Sequence, residues 1–137
     1  STAQSITRIA DELESVADYL DLLAFYSNRN NLSEVLYNGA AKDFFSLNAK
    51  VKDFFEETTG QFVRNEPTDM SVTKRKSGQL REEANDIRDR HLQRVGQGEY
   101  PALSAITYSD MIVALRKIRS HSENIAQAHS YPQKVES

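Results

Sequence analysis

The chain has 137 residues, 39% hydrophobic and 27% charged, with a net charge of -3, which suits one soluble, helical domain with a real core. It contains no Cys, which excludes a disulfide scaffold, thiolate metal sites and cysteine nucleophiles and fits a reducing compartment. No apolar run approaches the roughly 18 residues that a membrane span requires, and no signal-peptide pattern opens the chain.

The first predicted helix runs from about Thr2 to Tyr26. Its apolar positions Ile6, Ile9, Leu13, Val16, Leu20 and Leu23 are spaced 3-4-3-4-3, a seam that stays on one helix face. Asn28-Arg29-Asn30-Asn31 breaks the pattern, and Ser33 with Glu34 opens a second helix that reaches about Val63. Its inner face carries Leu36, Ala40, Phe44, Leu47, Val51, Phe54 and Phe55. Pro67 disfavours helical geometry at Glu66, so Asn65-Glu66-Pro67-Thr68 is a turn.

A third helix starts near Asp69 and ends before Gly96-Gln97-Gly98, a helix-stop signal. Leu80, Ala84, Ile87, His91 and Val95 form its seam, and Gly78 is expected to weaken or kink its first third. After the corner Glu99-Tyr100-Pro101, a fourth helix runs to about Ser130, stopped by Pro132. Its seam is Tyr108, Met111, Leu115, Ile118, Ser122, Ile125 and His129. No period-two alternation is present, so no sheet is expected. Short connections make neighbouring helices antiparallel, and an up-down bundle of four long helices is the simplest all-α packing.

Charge divides between the halves. Residues 1–69 have a balance of -6 and residues 70–137 a balance of +3. The asymmetry either steers partners or draws the halves of the bundle together. Asp11, Glu14, Asp18 and Asp21, spaced 3-4-3, form a carboxylate stripe beside the first seam. Such oxygens can hold a hard cation, or pair with Arg88, Arg116 or Arg119 on neighbouring helices. The second alternative is favoured. The basic cluster is Thr73-Lys74-Arg75-Lys76-Ser77-Gly78-Gln79-Leu80-Arg81. It reads as a solvated helix start, with a membrane-facing role open if a transporter is attached. No nucleic-acid partner is expected, given the negative net charge, the lack of interleaved aromatics and the lack of a motif. His91 and His129 lie toward opposite ends of their helices and should not meet. There is no phosphate-binding Gly-rich loop, no Ser-His-Asp arrangement and no zinc-protease motif, so no enzyme is expected.

Two segments are related. Ile6-Thr7-Arg8-Ile9-Ala10-Asp11-Glu12-Leu13-Glu14-Ser15-Val16-Ala17 aligns without gaps with Leu115-Arg116-Lys117-Ile118-Arg119-Ser120-His121-Ser122-Glu123-Asn124-Ile125-Ala126. Both have an aliphatic at position one, a basic residue at three, Ile at four, Glu at nine, an aliphatic at eleven and Ala at twelve. The pattern resembles the helical signature of the PhoU-like family, Leu-Glu-Arg-Ile-Gly-Asp-His-Ala-Glu-Asn-Ile-Ala. The helix from Leu80 to Arg94 is similar to the penultimate helix of PhoU-like domains fused behind sodium/phosphate cotransporter membrane regions.

That resemblance implies two tandem three-helix repeats with the signature on the third helix of each. The chain then corresponds to the last helix of the first repeat followed by the whole second repeat. Because it opens at Ser1-Thr2 without an initiator Met, residues 1–137 are expected to be a processed or excised single domain of a longer protein. The resemblance implies a non-enzymatic regulatory or scaffolding role in phosphate uptake. The partner would be a membrane transporter domain, on the cytoplasmic face of the inner or plasma membrane of a bacterium or archaeon. In family members the acidic residue at position two and the Asp at position six bind iron, zinc or similar metals. Here position two is Thr7 and Arg116, and position six is Asp11 and Ser120. No cofactor is therefore expected, and any divalent or iron-type metal would fall to Asp11, Glu14 and Asp18. His121 occupies a position that is often His in the family. Arg119, Ser120 and Glu123 are the candidate partner-binding residues, together with the acidic stripe. Two alternatives remain: a freestanding metal-binding regulator of phosphate transport and signalling, and a homodimer formed by exposed signature faces.

Overall fold

The computed structural model describes the backbone of residues 2–29 and 32–136 and the side chains of residues 3–29 and 32–130. Its elements are α1 (Thr2–Asn28), α2 (Leu32–Val35), α3 (Gly39–Val63), α4 (Met70–Gly96) and α5 (Ala102–Glu136). Among the described residues there is no strand. Of the predicted break after the first helix, Asn30 and Asn31 lie outside the described residues.

The helix predicted from Ser33 to Val63 is divided into α2 and α3. Asn38 takes φ 52° with ψ -134°, a positive-φ conformation uncommon for a residue with a side chain, and Gly39 follows it. That Asn-Gly pair is a turn signal embedded in an apolar helical pattern. The carbonyls released at the break are held from another element. The Tyr100 hydroxyl donates to Val35 O at 3.1 Å and to Tyr37 O at 3.4 Å. The other ends follow ordinary capping chemistry. Asp69 Oδ1 accepts from Ser71 N at 3.0 Å and begins α4. Asn65 at φ 50° and Gly98 at φ 74° close α3 and α4, each followed by a backbone bond reaching back five residues, Glu66 to Gln61 and Glu99 to Arg94. α4 passes through Gly78 without interruption. α5 continues past Pro132 to Glu136. Proline removes one intrahelical donor, and the turns on either side of it persist.

Side-chain contacts set the helix directions. Arg8 reaches Gln127 and Tyr26 reaches Asp110, so α1 runs antiparallel to α5. Tyr108 donates to Ala40 O near the start of α3, and His129 bonds Glu66 O just beyond its end, so α3 and α5 are parallel. α4 opposes both, through Asp43–Arg90, Lys50–Glu83 and Glu57–Lys76 on one side and His91–Ala105 on the other. α5 packs against every other helix. α1 packs against α5 and the short α2, with no comparable backbone interface to α3 or α4. The architecture is thus a three-helix unit, α3–α4–α5, with α1 laid along α5.

The core follows from that arrangement. Phe44, Leu47, Val51, Phe54, Leu80, Ala84, Ile87, Tyr108, Met111, Leu115 and Ile118 are buried in one cluster. Fully burying an aliphatic or aromatic side chain stabilises the fold by about 1.5–3 kcal/mol. Among the described side chains of α1, only Ile9, Val16 and Leu23 are buried, each seven residues apart, while Ile6 and Leu20 stay about half exposed at 52% and 51%. A helix with one long neighbour buries a narrow stripe; a helix with two buries a broad one.

Candidate functional site

The two related segments face each other across the α1–α5 interface. Position seven of the first, Glu12, meets position seven of the second: His121 Nδ1 lies 2.5 Å from Glu12 Oε2. Asn124 Nδ2 donates to both Glu12 oxygens at 3.3 Å, and Tyr19 stacks on the His121 ring at 5.9 Å. Apolar positions match on either side of this contact. Ile9, at position four, clusters with Ile125, at position eleven of the other segment. Val16 at position eleven and Ile118 at position four share the main core and line one groove. The segments are therefore paired in a near two-fold manner about Glu12 and His121. Leu13, Phe55 and Phe62 pack against the Ile9 cluster from its open side.

The predicted ligand positions lie outside that contact. Asp11, Glu14, Asp18 and Asp21 are all exposed, on the face of α1 turned away from α5. Thr7 is also exposed, and its hydroxyl donates to Ala3 O of its own helix. Among the described residues, no group of three or more His, Asp or Glu side chains is placed to hold a metal ion. The acidic stripe forms no ion pair with Arg88, Arg116 or Arg119, contrary to the expectation that it would pair with them. The physical reason is rotational. Those arginines lie on the α4–α5 side of the molecule, whereas α1 docks on another face of α5.

Arg116 and Arg119 turn inward toward α4. Arg116 Nη2 donates to Asn85 Oδ1 at 2.7 Å, and Arg119 Nη1 donates to Ser77 Oγ at 2.7 Å. Arg119 is also 3.9 Å from Glu123 Oε1, its neighbour one turn on. Of the predicted partner-binding residues, Arg119 is thus largely engaged inside the fold, with a side chain 15% exposed, while Ser120 and Glu123 are half-buried. Burial holds both guanidinium groups below their ordinary values. The Arg88 and Arg119 charges add to this at Arg116, and the Arg81 charge adds to it at Arg119, where Glu123 opposes the shift. Arg119 Nε is buried with no hydrogen-bond partner among the described residues. The sequence held a signal for this cluster that was missed: Ser77, Arg81, Asn85 and Arg88 repeat at helical spacing on α4, beside Arg116 and Arg119 on α5.

A second polar cluster closes the end of the molecule where α4 meets α5. Asp43 accepts from Arg90 at 3.0 and 3.1 Å and from Arg94 at 3.0 Å. Burial alone would raise the Asp43 pKa, but the hydrogen bonds and charges of the two arginines outweigh it and hold the carboxyl below its usual range. Gly39 leaves room for this, since a Cβ there would stand 2.9 Å from Arg94 Nη2. Nearby, His91 is buried against the Tyr100 and Tyr108 rings, and its Nε2 donates to Ala105 O at 2.9 Å. Burial pushes the His91 pKa down, and the Arg94 charge pushes the same way, against the Ala105 carbonyl. Burial raises the Tyr108 hydroxyl, which donates to Ala40 O. His129 packs on Phe62 at the other end of the bundle, so the two seam histidines are apart as predicted. In the basic segment, Thr73 and Ser77 are buried and Lys76 pairs with Glu57 at 2.7 Å, leaving Lys74, Arg75 and Arg81 exposed.

No family model, curated protein or solved structure matches this chain. Among the described residues, no helix is long and apolar enough to cross a membrane.

Proposed function

We propose that this chain is a non-enzymatic PhoU-like regulatory or scaffolding domain, acting in sodium-dependent phosphate uptake through contacts between its helix faces and a membrane transporter. The observation that carries the reading is the pairing of the two related segments. They lie on different helices, far apart in sequence, and meet at equivalent positions, Glu12 against His121. Tandem repeats whose third helices pack together would produce this contact. On that reading α1 is the last helix of a first repeat and α3, α4 and α5 are the second, with α2 as an inserted turn. A long bundle of this kind transmits small helix shifts between a membrane domain and a cytosolic partner without performing chemistry. The exposed acidic face of α1 and the half-buried Ser120 and Glu123 are the surfaces offered to that partner.

Initial rates of labelled phosphate uptake in the native host, with and without the coding region of residues 1–137, test the proposal. A changed rate or a changed sodium dependence is the expected result; identical uptake at limiting and at excess phosphate would overturn it. Plasma mass spectrometry after exposure to iron, zinc and manganese tests the family-type alternative. Metal well below one equivalent per chain is expected, because positions two and six supply Thr7, Arg116 and Ser120 where metal-binding relatives have carboxylates.

A further inference from the structure

Arg81 and Arg88 on α4 and Arg116 and Arg119 on α5 form a row along the α4–α5 groove. Arg116 and Arg119 donate across to Asn85 and Ser77 of α4, and these two residues share one helix face with Arg81 and Arg88. Two carboxylates answer these four cations. Glu123 stands 3.9 Å from Arg119, and Asp89 stands 3.2 Å from Arg88 on an exposed stretch of helix. The remaining partners are neutral: Asn85 for Arg116 and Ser77 for Arg119.

A guanidinium taken out of water ordinarily acquires a carboxylate partner, because neutral acceptors do not offset the loss of hydration. Here the two inner arginines are fixed by an amide and a hydroxyl, repel each other, and leave Arg119 Nε buried without a partner among the described residues. Arg81 and Arg88 stand exposed at the rim, Arg88 held only by its chain neighbour Asp89, where their planar forks can turn toward a ligand. The arrangement is that of a positively charged floor with two movable arms. Its length is informative. Seven residues of helix separate Arg81 from Arg88, a rise of about 10.5 Å, which is longer than one tetrahedral oxyanion and suited to several in a row.

We propose that the Arg81–Arg88–Arg116–Arg119 groove is a binding site for soluble phosphate-type oxyanions, and that it takes linked phosphates in preference to a single one. The site needs no transporter and stands apart from the proposed function. Arg116 and Arg119 supply fixed charge beneath the ligand, and Arg81 and Arg88 supply bidentate hydrogen bonds from the rim.

The test is calorimetric titration of the purified chain with orthophosphate, pyrophosphate and tripolyphosphate at low ionic strength, repeated with added chloride. Saturable binding is expected, tightening from orthophosphate to tripolyphosphate and weakening as salt screens the charges. Arg81 and Arg88 are exposed, so the double variant Arg81→Gln with Arg88→Gln should keep its helical circular dichroism. It should bind tripolyphosphate roughly tenfold more weakly or worse, as loss of two charge-assisted contacts requires. The control Lys42→Gln with Lys52→Gln makes the same change in net charge on α3 and should alter affinity by less than about threefold. Absence of saturable binding with all three phosphates overturns the proposal. So does an equal loss in the two double variants, which would mark attraction to net charge alone. Cosedimentation with phosphatidylglycerol vesicles that tripolyphosphate fails to displace would overturn it in favour of a lipid surface.

Discussion

In the α3–α4–α5 unit every helix has at least two long neighbours, and the buried file from Ala40 to Phe54 on α3 is met by Leu80, Ala84 and Ile87 on α4. α1 has one long neighbour. Its apolar seam is as regular as that of α3, yet Ile6 and Leu20 remain half exposed and only every seventh residue is fully covered. What holds α1 is a narrow apolar stripe together with the Glu12–His121–Asn124 contact and the Arg8–Gln127 and Tyr26–Asp110 hydrogen bonds. A groove of about 260 Å³ remains between α1 and α3, floored by Leu115 and Ile118 and walled by Val16, Leu20, Val51 and Phe55. The same hydrophobic period therefore yields two degrees of attachment. Periodicity reports that a face is apolar, and the number of neighbours decides how firmly it is held.

Substitutions can break this comparison or sharpen it. Ile87, wholly buried between helices, should be the most sensitive: Ile87→Ala is expected to cost about 3–4 kcal/mol in denaturant unfolding and to lower protection throughout the molecule. Ile9→Ala should cost about 2–3 kcal/mol, with its effect read first in α1. Hydrogen exchange followed by mass spectrometry should show α1 amides opening while those of α4 stay protected. Uniform exchange across both helices would show that α1 is as firmly integrated as the rest. His121→Ala removes one partner of a carboxylate with a side chain 16% exposed and should cost about 1–2 kcal/mol, again loosening α1 before the other helices.

The pH response belongs to the other region. Burial depresses the His91 pKa below the ordinary 6.5, so the unfolded chain binds a proton that the folded chain resists. Stability contributed by neutral His91 is complete above about pH 6.5 and falls as the pH drops below that value. The urea midpoint should therefore decline between pH 7.5 and 5.5, and His91→Gln should flatten that decline. Smallest of all, Lys50→Gln removes an exposed ion pair with Glu83 and should change stability by less than about 1 kcal/mol.

Much of this fold was legible in the amino-acid order. The apolar spacings from Ala40 to Phe54, Leu80 to His91 and Tyr108 to His129 identify the buried faces of α3, α4 and α5, and Asp69 and Gly98 mark helix ends where they were expected. The break at Asn38 escaped notice because a turn pair was enclosed by apolar residues at helical spacing. Pro132 misled in the opposite sense, since the helix continues through it. The polar clusters were harder to read. Helical spacing places Arg116 and Arg119 on one face, but their partners, Asn85 and Ser77, depend on which face of α5 each neighbour occupies. Asp43, Arg90 and Arg94 carried no signal as a group, because their closeness requires the antiparallel register of two helices separated by a turn.

The meeting of Glu12 and His121 has a consequence for self-recognition. Two related helices crossing near an axis bring one position of each copy opposite the same position of the other. Were that residue identical in both copies, it would face itself: a pair of glutamates would repel, and a pair of imidazoles would offer no carboxylate acceptor. Glu12 opposite His121 resolves the conflict by being unlike. The contact is complementary when α1 meets α5 and unfavourable when two copies of α1 meet. The unlike pair Glu12 and His121 thus favours α5 over a second α1 as the partner of α1.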